Sequence, residues 1–217
     1  MKRILLTVLI IGSALFSASY GSPQSEPHLP KIIEHYKALP SLPLGKKYQF
    51  VEKAGSWNVP AGDNPSTKIK TLVDQHAGYV EISETDSEGE MYKTELLLLS
   101  GRSGAQYIVL SEVKGTSVCL KVSIAIYRWD GQDYSDVTRA LMPALTVGSF
   151  FGPGSFATIP KAESCGYRIR YSLIPKEGIV TAYLDRDPEP EDDLLNRKFE
   201  FHWDPLSETF RMVRFLY

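Results

Sequence analysis

The residues of this 217-residue chain that could carry chemistry are four histidines, two cysteines and a few serine- and glycine-bearing turns. His28, His35, His76 and His202 sit in no His-x-x-x-His or Glu-x-x-His pattern, so nothing converges two imidazoles on one helix face to hold a metal. His202 falls on the polar side of a strand and His76 lies beside Asp74 in a turn, and both read as surface residues. Cys119 and Cys165 each lack a second Cys or His at ligand spacing. A disulfide between them is expected in an oxidising compartment, with a stabilisation of a few kcal/mol. The alternative is two buried thiols packed as small hydrophobes.

A nucleophile needs a constrained turn and a base within reach. Ser100-Gly101-Arg102-Ser103-Gly104 has glycines that let backbone amides face an anion, but it lacks the Gly-x-Ser-x-Gly register, and a plain hairpin turn is expected. The acidic run Asp185, Asp187, Glu189, Glu191, Asp192 and Asp193 suggests a calcium loop. Pro188 and Pro190 hold it extended and no Gly supplies the sharp turn, so a solvated loop is the better reading. Phe150, Phe151 and Phe156, spread around Gly148 to Gly154, either line a groove or plug one end of the core, and the plug is favoured. Carboxylate pairs fit for glycoside hydrolysis meet only in three dimensions, so the sequence is silent on them. No catalytic residue, metal or cofactor is expected.

The elements that would position these residues are mostly strands. Leu29, Ile32, Ile33 and Tyr36 mark one face of a short helix that must stop before Pro40. Residues Ala54 to Thr67, with Gly55, Pro60, Gly62, Asn64 and Pro65 among them, read as a loop. From there strands are expected at Tyr79 to Ser83, Met91 to Leu99, Gln106 to Val113 and Cys119 to Trp129. The last turns at Asp130-Gly131 and returns through Tyr134 to Val137. A second helix is expected from about Asp136 to Leu145, weakened by Pro143. The closing third gives strands at Arg168 to Ile174, Ile179 to Leu184, Lys198 to Trp203 and Phe210 to Leu216. Phe199, Phe201 and Trp203 alternate there with Lys198, Glu200 and His202.

Two hairpins match. Tyr127, Trp129, Asp130, Tyr134 and Val137 correspond to Phe201, Trp203, Asp204, Phe210 and Val213. The expected fold class is therefore mainly β, built of antiparallel hairpins with a duplicated four-strand unit near 91–138 and 168–216, plus two short helices. The stretch from Tyr127 to Thr138 resembles strand-turn-strand repeats of uncharacterised secreted bacterial proteins, in which a Tyr-x-Trp-Asp-Gly turn precedes an aromatic and an Asp-Val-Thr. The resemblance implies a β fold and an envelope location and carries over no functional residue.

The first 21 residues read as a secretory signal, with Lys2 and Arg3, the apolar run Ile4 to Phe16, and small residues from Ser17 to Gly21 that suit cleavage after Ser19 or Gly21. That apolar run is shorter than the ~20 residues of a membrane-spanning helix. Residues 22–217 are expected to form one domain, without a transmembrane anchor, in the periplasm or outside the cell. With 24 basic against 26 acidic side chains, two of the basic ones in the leader, the chain is a poor candidate for nucleic acid. The function expected is noncatalytic binding of a protein partner or envelope component, an enzyme inhibitor belonging to that class. The alternatives are an extracytoplasmic hydrolase, with carboxylates or a loop serine, and an outer-membrane β-barrel suggested by the alternating, aromatic C-terminus.

Overall fold

The computed structural model describes residues 31–40, 42–60, 66–116, 119–150, 168–185 and 198–216. The leader, His28, Phe151, Phe156, Cys165 and the acidic residues beyond Asp185 lie outside the described residues. In chain order the elements are α1 (Ile32–Ala38), β1 (Val51–Lys53), β2 (Ser56–Asn58), β3 (Lys68–Asp74), β4 (Tyr79–Thr85), β5 (Met91–Ser100) and β6 (Gln106–Thr116). There follow β7 (Cys119–Trp129), β8 (Tyr134–Asp136), α2 (Thr138–Leu141), β9 (Arg168–Ile174), β10 (Ile179–Asp185), β11 (Lys198–Asp204) and β12 (Thr209–Leu216). The chain is mainly β, as its alternating patterns require.

The strands make two open antiparallel meanders, β3-β4-β5-β6-β7-β8 and β12-β11-β10-β9, with β1-β2 as a separate hairpin. Alternation along each strand turns two sets of side chains to opposite faces. Tyr79, Leu97, Leu99, Tyr107, Val109 and Ile126 face the four-stranded sheet, whose Leu173, Val180, Ala182, Phe199 and Phe201 complete that core. Val80, Ile82, Leu96, Ile108, Leu110 and Ala125 face the other way, onto Ile32, Ile33, Tyr36 and Leu39 of the helix layer. The six-stranded sheet is thus the middle of three layers, and from Gln106 to Val113 every residue of β6 is buried.

Glu34 opens α1 by accepting the Lys31 N–H at 2.8 Å, and the helix ends before Pro40. Lys47 caps its last carbonyls, donating to Lys37 O and Leu39 O at 2.6 and 3.0 Å. Three expectations change. Ser56–Asn58 is a strand rather than loop, because Ala54 and Gly55 both take positive φ and close a tight hairpin. β3 went unread although Ile69, Thr71 and Val73 alternate with lysines. α2 is a single turn, ended well before Leu145.

A β-bulge between Glu200 and Phe201 shifts the register of β12. The bulge sets Arg211 across from His202 and Arg214 across from Glu200 in the backbone ladder. The matched hairpins pair alike, Trp129 with Tyr134 and Trp203 with Phe210. Both turns are held by an aspartate, since Asp130 accepts the Gln132 N–H at 3.1 Å and Asp204 the Leu206 N–H at 2.9 Å. Their packing differs, because Trp129 lies against the helix layer and Trp203 between the sheets.

The Ser100–Gly104 turn does face an anion, and the anion is the chain's own. Glu208, in the last hairpin turn, accepts the Ser103 N–H at 2.7 Å and the Tyr107 hydroxyl at 2.6 Å, which holds its carboxyl down at about 2. Arg102 N donates to Pro205 O at 2.9 Å, and Trp203 Nε1 to Ser100 O at 3.0 Å, so two turns of different sheets interlock. Glu208 holds φ at 51°, a left-handed conformation that costs a non-glycine residue roughly 1 kcal/mol or more. A Cβ on Gly101 would stand 2.5 Å from Glu208 Oε1, so Gly101→Ala must push that carboxylate aside and is expected to weaken its hold on Ser103 and Tyr107, read as a lower denaturant midpoint at constant slope. Because the Glu208 carboxyl titrates below its ordinary range, its stabilisation is present above about 4.5 and is lost as pH falls toward 2. Glu208→Gln should flatten this acid limb of stability, and a limb unchanged from the parent would show that the clamp is idle.

Candidate functional site

The structure settles most of the sequence candidates into structural roles. His35 is fully buried on α1, with Nε2 at 3.0 Å from Gln106 Oε1 and Nδ1 at 2.9 Å from the Tyr134 hydroxyl. Because the Gln106 oxygen can only accept, Nε2 carries a proton, and a neutral ring takes the Tyr134 proton at Nδ1. His76 is exposed in the β3-β4 turn, where Asp74 accepts the Ala77 N–H instead. His202 stands 3.5 Å from Glu200 on the outer face of the four-stranded sheet. Phe150 is buried and packs edge-on against Phe199 at 4.8 Å, so it plugs the core. Asp185, the first residue of the acidic run, is held by Arg168 and Arg170 at 3.1 and 3.2 Å. Among the described residues no cluster of side chains could hold a metal ion.

Two groups of carboxylates do come together, one on each face of the middle sheet. On the sandwich side the Tyr79 hydroxyl lies 2.9 Å from Glu95 Oε1 and 3.0 Å from Glu81 Oε2, while Lys93 reaches both carboxylates at 3.3 and 3.5 Å. Burial pushes the Glu95 carboxyl up, opposed by Lys93 and the Tyr79 bond. One hydroxyl proton cannot serve two carboxylates, so this group is a shared, internally satisfied network, and Glu95 is only 4% exposed.

On the helix side Glu112 is fully buried, accepts the Leu44 N–H at 3.0 Å through Oε2, and leaves Oε1 without a partner. Thr94, directly across the ladder, has an unpartnered buried hydroxyl. The segment carrying Leu44 is fastened further by the Tyr92 hydroxyl on Leu44 O and by Lys46 and Tyr48 on Glu84. These groups anchor a strap across the sheet.

What sequence reasoning missed is an open edge. β7 has 11 residues and its neighbour β8 only 3, pairing Tyr127 to Trp129 alone. Beyond them Val137 N donates to Ile126 O at 2.9 Å, and Ile126 N donates to Thr138 Oγ1 at 2.8 Å. Asp136 then accepts the Thr138 N–H and hydroxyl at 2.9 and 2.6 Å, which turns the chain away into α2. From Cys119 to Ala125, β7 has β6 on one side and, among the described residues, no strand on the other. Since backbone groups alternate sides, the N–H and C=O of Leu120, Val122 and Ile124 point to the same open side as those of Ile126. At Ile124 this edge borders a cleft of about 640 Å³ whose walls include Pro43, Ser123, Ile124, Thr138 and Arg139.

The other edges are blunted. β3 carries exposed Lys68 and Lys70 and is flanked by β2, with Val59 N on Thr71 Oγ1 at 3.4 Å. β9 holds its two arginines on Asp185, and β12 is bulged, with Arg211 folded back onto Asp204 at 2.5 Å. The mismatch between a long strand and a short return is visible in the sequence, and it is the one signal that could have found this edge.

Burial of Glu112 pushes its carboxyl up, so the folded state holds that proton more tightly than the unfolded chain does. Stability from this group is full below the ordinary glutamate range and declines as pH rises from there to the raised value. Glu112→Gln keeps the acceptor for Leu44 and should shrink that decline, whereas Glu112→Ala strands the Leu44 N–H and should cost about 1–3 kcal/mol. Denaturation midpoints between pH 4 and 8 check both, and a parent-like slope in Glu112→Gln would remove Glu112 as the cause. No protein-family model matches the chain, and no curated protein or solved structure shows significant similarity to it.

Proposed function

We propose that this is an exported, noncatalytic binding protein that takes an extended segment of a protein partner along the free edge of β7. The observation that carries the reading is the overhang itself. Three backbone N–H and three C=O groups, of Leu120, Val122 and Ile124, lie along an edge with no strand partner among the described residues, and at Ile124 that edge opens onto a cleft beside α2. A strand added there recovers main-chain hydrogen bonds that water otherwise supplies, which is the general basis of recognition by β-augmentation. Export rests on the basic, apolar and small-residue order of the first 21 residues.

The disulfide belongs to the same reading. Cys119 begins the overhang, the described residues hold no free cysteine, and Cys165 is the only other cysteine of the chain. A Cys119–Cys165 bridge would pin the far end of the edge. Peptide mapping of the mature protein without reductant is expected to yield one cross-linked 119–165 species that reductant splits, and two alkylatable thiols would refute the bridge.

The competing hydrolase reading would have to use Glu81 and Glu95, the carboxylates that share Tyr79. Their ties to Tyr79 and Lys93 favour a structural network. Activity on glycan, ester or peptide panels that Glu95→Gln abolishes would favour catalysis instead.

The binding reading is tested with a photo-crosslinking residue placed at Ser123, in the cleft, or at Lys70, on the blunted β3 edge. Envelope extract is expected to give a defined adduct through position 123 alone, and the amides of Val122 and Ile124 should gain hydrogen-exchange protection when that partner is bound. Equal adducts from both positions, or none, would sink the reading.

A further inference from the structure

We infer that the strand accepted by β7 presents an acidic side chain opposite Lys121, with apolar side chains opposite Val122 and Ile124. This deepens the binding reading above and rests on it.

The pairing register fixes which side chains an incoming strand would meet. Across the middle sheet one row runs Glu84, Tyr92, Lys114 and Lys121, each directly opposite the next. All four lie on the helix side, where alternation also places Ala125 and Tyr127. Lys114 and Lys121 are therefore like charges in direct cross-strand opposition, an arrangement that destabilises a sheet.

The groups around them do not neutralise the pair. Glu84 is already paired with Lys46 and bonded by the Tyr48 hydroxyl. Glu112, the next carboxyl along that face of β6, is turned onto Leu44 N. Lys114 Nζ lies 5.2 Å from the Tyr92 ring, a cation–π contact that holds its charge in place without cancelling it. Lys121 is exposed, and among the described residues neither lysine has an ion-pair partner. On the cleft wall Arg139 adds a third cation, while Asp136 is occupied by Thr138.

The next residue of the Glu84-to-Lys121 row would belong to the incoming strand. A carboxylate there relieves the lysine opposition and completes the row with alternating sign. The neighbouring rows set the rest of the pattern. On the opposite face Val113 pairs with Val122, and Ser111 with Ile124, so a partner's flanking side chains meet β7 through apolar groups. The recognised segment is accordingly an extended one in which an acidic residue is bracketed by apolar residues.

The test uses the full mature protein and three fluorescent nonapeptides that differ at one point. The probe is Thr-Thr-Val-Ser-Val-Glu-Val-Thr-Thr, which laid antiparallel to β7 sets its Glu opposite Lys121 and Val opposite Val122 and Ile124; the second carries Lys for Glu, and the third is the probe methylated on alternate backbone nitrogens. At low salt the Glu probe is expected to bind roughly 3- to 10-fold more tightly than the Lys probe, in keeping with surface charge pairs. Lys121→Glu should reverse that order, and the methylated probe should lose binding. If the Glu and Lys probes bind equally and methylation still abolishes binding, the acidic preference is wrong and strand addition stands. If no probe binds, or methylation has no effect, both the preference and the edge reading fall. Lys121 is exposed, so its replacement leaves the core untouched, and since Glu opposite Lys114 relieves the like-charge pair, a melting temperature no lower than the parent's certifies the variant.

Discussion

The constraint on which everything else depends is the burial of one strand on both faces. β6 runs from Gln106 to Val113 without an exposed residue, so each polar group on it needs a partner from another layer. Gln106 meets His35 of α1, Ser111 donates to the Tyr171 carbonyl of β9 at 3.2 Å, and Glu112 receives Leu44 N. One strand thereby names its neighbours on both sides. The helix layer and the second sheet are fixed by polar contacts that apolar packing alone would leave interchangeable.

This arrangement ties the reactive-looking residues to contacts between layers. A histidine with both ring nitrogens occupied, a carboxylate holding a strap, and a second carboxylate tied to Tyr79 and Lys93 are all committed to joining layers. The anion-facing glycine turn behaves alike, because Glu208 fills it from within. In each case the electrostatics that would make a site catalytic instead closes a gap between two elements.

Much of the fold is legible from residue types. The period-2 order of Phe199, Phe201 and Trp203 against Lys198, Glu200 and His202 states a strand with one apolar side, and that side is the sandwich core. Asp130-Gly131 states a turn, and Ile32, Ile33 and Tyr36 state the buried side of a helix. Less legible are features that need a partner strand to define them. The bulge at Glu200/Phe201 shifts the pairing of β12, and no local pattern in that strand announces it. β3 hides because its lysines and its position at a sheet edge leave it half exposed, so its alternation resembles that of a polar loop. The carboxylate groups were illegible for a simpler reason: Glu95 and Glu81 are 14 residues apart in the chain and adjacent only across the β4-β5 ladder.

The open edge follows from competition for the same backbone. β8 could have continued along β7, but Asp136 and Thr138 satisfy each other and Ile126, and so end the ladder early. An edge left in that state is a hazard, since any extended chain can pair with it. The other edges answer the hazard with bulges, covering strands or arginines held in place. β7 carries a charge there, because Lys121 stands opposite Lys114 and makes the next position in the row unfavourable for a basic side chain. A single lysine then serves two ends. It discourages pairing with basic strands along an exposed backbone, and in the proposed binding mode the same repulsion selects the partner that can neutralise it.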